Sequence, residues 1–105
     1  MRYFSISTGL RGCYMPDAAY VIAVRTRSGL REALAEEARQ MREAYPFGGS
    51  NRAISTIAAC AWRAKPDLLP FCLPFGRERG DYPFGVFVAR IDWKEYQATR
   101  EQEEG

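Results

Sequence analysis

Residues 84–92 read Phe-Gly-Val-Phe-Val-Ala-Arg-Ile-Asp, a run that is apolar on both faces of an extended segment. A strand without a polar face belongs inside a sheet, with a neighbour on each side. The rest of the 105-residue chain must supply those neighbours and the layer that covers them. At this length the chain reads as one domain, residues 1–105, with a frayed acidic tail from about residue 100.

The other elements follow from periodicity and punctuation. Residues 2–8 alternate, with Phe4 and Ile6 on one face and Tyr3, Ser5 and Ser7 on the other, which predicts a half-buried strand. Breakers at Gly9, Gly12 and Met15-Pro16-Asp17 predict a turn, and residues 20–26 read as a second strand that closes a hairpin. Ser28 can cap a helix over 29–45, whose apolar stripe is Leu30, Leu34, Ala38, Met41 and Tyr45. Pro46 ends it, and Phe47-Gly48-Gly49 turns the corner. Ser50 or Asn51 can cap a second helix running to about Ala64, with a wide apolar arc of Ile54, Ile57, Ala58, Ala61 and Trp62. Pro66 stops that helix. Pro70 and Pro74 confine the apolar segment 68–75 to an edge strand, because each lacks a ladder donor. Asp92, with Glu95 three residues on, starts a short last helix. The order predicts an α+β fold: a mostly antiparallel sheet of three or four strands, two main helices on one face, and a short C-terminal helix. The expected core includes Phe4, Ile6, Leu30, Leu34, Ile54, Ile57, Val86 and Val88.

Composition narrows the chemistry. The chain has no histidine, which removes imidazole bases, Ser–His and Cys–His pairs, and the commonest zinc ligand. Cys13, Cys60 and Cys72 are an odd number at irregular spacing and fit neither a disulfide framework nor a zinc site. No motif points to a cofactor, and Gly9-x-x-Gly12 has no helix after it to make a phosphate loop. No apolar run approaches the roughly 18 residues that cross a bilayer. Residues 1–10 do not read as a secretory signal, so the expectation is a cytoplasmic protein without a membrane partner.

The net charge of +2 divides unevenly: residues 92–105 carry −3 and the remainder +5. Thirteen of the fifteen cations are arginine, the residue suited to bidentate contact with carboxylate or phosphate. If Phe4 and Ile6 face the helices, then Tyr3, Arg25 and Arg27 face away on the other side of the sheet. Arg11 and Tyr14 in the adjoining loop, with Arg77 and Arg79 at the later tip, extend that surface. Arg and Tyr together are favoured at protein hot spots and at nucleic-acid surfaces alike. The alternative is an ordinary solvated sheet face. Glu37 falls inside the stripe of the first helix, which makes it either a perturbed acid or a carboxylate reaching solvent or an arginine. Cys13 beside Arg11 is a conceivable reactive thiol, but no base is available to it.

In size, mixed composition and lack of any catalytic signature, the chain resembles the small proteins of phages and mobile elements, of which the anti-CRISPR inhibitors are one group. That resemblance implies a stoichiometric inhibitor that docks on a larger nucleoprotein. Those proteins share no fold, so it carries no residue roles. The expected function is a non-enzymatic inhibitor or adaptor with a protein or nucleoprotein partner and no cofactor. The alternatives are direct nucleic-acid binding through the arginines and, further off, an enzyme acting through Glu37 or Cys13.

Overall fold

A computed structural model describes residues 1–10, 19–43, 45–66, 70–78 and 82–104. Its elements run β1 (Arg2–Leu10), β2 (Tyr20–Val24), α1 (Arg27–Met41), α2 (Asn51–Arg63), β3 (Phe71–Glu78), β4 (Tyr82–Ile91) and α3 (Trp93–Glu104). The strands form one antiparallel sheet in the order β2-β1-β4-β3, so the doubly apolar run of β4 is central, as its pattern requires. β3 is an edge strand, and its register slips between Pro74 and Gly76, where proline removes a ladder donor.

One face of the sheet carries Phe4, Ile6, Leu73, Val86 and Val88 into a core closed by Leu30, Leu34 and Ala38 of α1 and Ile54, Ala58 and Ala61 of α2. Leu73 and Phe75 of β3 belong to this core. Ile57 and Trp62 are only partly buried against it, so the apolar arc of α2 is wider than the side it buries.

Both long helices start on hydroxyl caps. Ser50 accepts from the Ala53 N–H at 3.1 Å. At α1 the cap is Thr26, not Ser28: Thr26 has φ −135° and ψ 156° and its hydroxyl accepts from the Gly29 N–H at 3.0 Å. An N-cap needs extended backbone, and Thr26 still carries the conformation of the strand before it. The helix therefore begins two residues earlier than expected and takes Arg27 with it. It also ends earlier, at Met41.

Two arginines hold the far end of α2. Arg2 donates from Nη1 to the Trp62 carbonyl and stacks on the Trp62 ring at 4.2 Å. Arg90 donates from Nη1 to the Ala64 carbonyl at 3.1 Å. Cations at a helix C-terminus satisfy its orphan carbonyls and complement its dipole. Burial, and then the charge of Arg2 beside it, lower the Arg90 pKa. Its Nε is buried without a hydrogen-bond partner.

α3 lies on the opposite face of the sheet, starting where Asp92 Oδ1 accepts from the Glu95 N–H at 2.8 Å. It runs through Glu104. Among the described residues no helix is long and apolar enough to cross a membrane.

Candidate functional site

The far face of the sheet is not the open Arg/Tyr surface that alternation predicts. Tyr3 does point there, but α3 covers it: its ring lies 5.3 Å from that of Trp93 and 4.8 Å from that of Tyr96. Farther along, Ser7, Phe87 and Ala89 are buried. Arg25 follows the end of β2 and is exposed, but Arg27 belongs to α1, so the two do not share a strand face. Arg77 sits on β3 opposite Pro83. Arg11, Tyr14, Arg79 and Cys13 fall outside the described residues. The structure therefore does not gather Tyr3, Arg25 and Arg27 into one site.

It gathers a different set of arginines. α1 and α2 pack as an antiparallel pair across the core, so the start of α1 lies beside the end of α2. Between them runs a groove of about 740 Å³ lined by Arg27, Ser28 and Arg31 from α1 and by Ser55, Thr56, Ala59, Cys60 and Arg63 from α2. Arg27 and Arg31 are one helical turn apart and project from the same side. Arg31 Nε donates to Ser55 Oγ at 2.7 Å, and Arg63 Nε donates to the Ala59 carbonyl at 3.2 Å. None of the three forms an ion pair among the described residues, in contrast to Arg39, which meets Glu36 at 2.7 Å. Among the described residues the lining contains no carboxylate and no aromatic ring. What it presents is guanidinium and hydroxyl above a floor of small side chains, which is the donor set for carboxylate or phosphate.

The groove belongs to a basic pole. Arg2 pairs with Val24 and Phe4 with Arg90, which places the start of β1 and the ends of β2 and β4 together. The bonds from Arg2 and Arg90 bring the end of α2 to the same place. Arg25 follows the end of β2, and Arg27 and Arg31 of the groove begin α1 directly after it. Such an arrangement raises the local concentration of anionic partners and speeds encounter.

Arg31 and Arg63 are absent from the set that alternation predicts, because each lies on a different helix, α1 or α2. A signal was available. The short connection between the helices makes them antiparallel, and that alone sets the first turns of one against the last turn of the other.

Glu37 is accounted for elsewhere. Its Oε1 accepts a hydrogen bond from the Tyr20 hydroxyl of β2, so its partner is a phenol and not an arginine. Burial, then the hydrogen bond and charge of Glu37, push the Tyr20 pKa above its usual value of 10.0. Above pH ~10 the unfolded chain loses this proton while the folded chain keeps it, so this pair's contribution to stability falls as pH rises. Urea titrations from pH 8 to 11 should show a steeper alkaline loss for the parent than for Tyr20→Phe. Equal slopes would place Tyr20 in ordinary contact with water.

Among the described residues no group of His, Cys, Asp or Glu is placed to hold a metal ion, and Cys60 is a free thiol. In comparisons with known proteins, no family model, curated protein or solved structure matches this chain significantly.

Proposed function

We propose that this chain is a small non-enzymatic binding protein that seats its basic pole on an acidic surface of a larger protein or nucleoprotein. It would act there as a stoichiometric inhibitor or adaptor of the kind carried by phages and mobile elements. The observation that carries this reading is the α1–α2 groove, where Arg27, Arg31 and Arg63 converge without a neutralising carboxylate among the described residues of the lining. Like charges left together at a surface oppose folding slightly. An anionic partner relieves that opposition and collects several charge-assisted hydrogen bonds.

Direct nucleic-acid binding is the second reading, favoured by the hydroxyls of Ser28, Ser55 and Thr56 beside the arginines. Against it, sequence-tolerant single-strand binding draws on aromatic stacking, and the described residues of the groove offer no ring. Trp62 is engaged with Phe4 and Arg2, and Tyr3 with the rings of α3.

Affinity purification from the source cell, with nuclease added, separates the readings when the parent and the double variant Arg31→Glu/Arg63→Glu are run side by side. The expected result is a larger protein recovered in stoichiometric amount with the parent, resistant to nuclease, and reduced at least about 30-fold with the variant, the scale of a lost hot-spot anchor. Both positions are at least partly exposed, so circular dichroism should show an unchanged fold. Submicromolar binding to labelled oligonucleotides at about 150 mM salt, weakening steeply with added salt and lost in the variant, would overturn the protein-partner reading.

A further inference from the structure

The bonds that orient the groove arginines also set how they stand to one another. Arg31 donates from Nε to Ser55 Oγ, and Arg63 from Nε to the Ala59 carbonyl. Arg27 lies about one turn before Arg31, and Ala59 about one turn after Ser55, on helices that run in opposite directions. Arg27 therefore stands across from Ala59, the residue over which Arg63 folds back, with Arg31 one turn farther along. In Arg31 and Arg63 the Nε is spent on the protein, which leaves both Nη groups of each without a partner among the described residues. A guanidinium held through its Nε has less freedom to lose when its remaining donors meet an anion.

Counting charge and donors separates the anions that could meet them. A carboxylate brings one negative charge and two oxygens, enough for one guanidinium fork. It would leave two of the three cations unbalanced. A phosphodiester likewise carries a single charge per group. A phosphate monoester carries about −1.5 to −2 and three strongly accepting oxygens, so one group can bridge neighbouring guanidiniums. Ser55 Oγ accepts from Arg31 and keeps its own proton to donate, and Ser28 adds a second hydroxyl to the lining. At about 740 Å³ the groove also has room for the residues that flank such a group.

We propose that the α1–α2 groove is a phosphate-monoester site, and that what it recognises on the larger protein is a phosphorylated side chain. This rests on the function proposed above for the existence of a protein partner, and adds which group of that partner enters the groove.

Nuclear magnetic resonance of the arginine Nε groups of the whole protein tests it, with methyl phosphate, dimethyl phosphate and glutarate titrated at constant ionic strength. Methyl phosphate should shift the Arg31 and Arg63 signals and bind at least about tenfold more tightly than either of the others, the scale of one further charge-assisted hydrogen bond. Its affinity should fall as pH is lowered through the second phosphate pKa of about 6, a range in which this chain has no histidine to titrate. Arg31→Gln and Arg63→Gln should each weaken it at least about tenfold on the same scale. Glutarate bound as tightly as methyl phosphate overturns the proposal, as do two folded variants that bind methyl phosphate like the parent. Equal binding of dimethyl phosphate overturns it as well and assigns the groove to a nucleic-acid backbone. A parent that captures a protein partner yet does not distinguish methyl phosphate from glutarate would refute this site and leave the partner reading standing.

Discussion

Replacing Gly85 with alanine should destabilise the protein by about 3 kcal/mol, at the upper end of what overpacking costs, and lower its melting temperature by roughly 15 °C. Gly85 lies on β4 between Gly9 of β1 and Pro74 of β3. A Cβ there would meet the Leu73 carbonyl oxygen at 2.0 Å, its carbonyl carbon at 3.0 Å and the Phe75 nitrogen at 3.2 Å. These are backbone atoms and cannot rotate aside. β3 must therefore move away from β4, and Leu73 and Phe75 would leave the core with it. Gly29→Ala is the matched control. Its added Cβ meets only side-chain atoms at 3.5 to 3.6 Å, and alanine is the better helix former by up to about 1 kcal/mol. Calorimetry of the two variants should show a large fall for Gly85→Ala and none for Gly29→Ala. A Gly85→Ala protein that melts with the parent would refute the register between β3 and β4.

Ile54→Ala should cost about 3–4 kcal/mol, whereas Ile57→Ala, one helical turn later, should cost only about 1 kcal/mol. Both residues fall in the apolar arc of α2 and look equivalent by periodicity. The packing separates them, because Ile54 is 1% exposed inside the core cluster while Ile57 is one of the residues packed against its margin. Truncating a buried isoleucine forfeits its transfer free energy and leaves a cavity, but a position open to solvent loses less burial and can fill with water. Urea denaturation of both variants, read as midpoint shifts at constant slope, measures the difference. Equal losses would mean that α2 is rotated about its axis relative to the orientation described here.

The elements themselves were legible because their determinants are local. Alternation over a few residues marked β1, a run apolar on both faces marked β4, and Pro74 consigned β3 to an edge. A hydroxyl ahead of an apolar arc placed the start of α2, and Asp92 that of α3. Even the misplaced cap of α1 follows a local rule, since Thr26 and Ser28 are both good caps and the extended backbone of β2 decides between them.

Side and company were not legible, because they depend on which distant surfaces meet. Nothing near Tyr3 in the chain says that Trp93 and Tyr96 will fold over it, and an alternating strand looks the same whether its second face is wet or covered. Arg27, Arg31 and Arg63 acquire a common meaning only when α1 and α2 pack antiparallel. Arg2 and Arg90, at opposite ends of the chain, become partners only because β1 and β4 are adjacent and the end of α2 comes to rest on them. Residue pattern by itself determined the secondary structure, the central strand and the two-helix layer, since these depend on a residue and its neighbours two to four positions away. Which face α3 covers, and where the unpaired arginines collect, only the tertiary structure decided, through contacts between segments tens of residues apart.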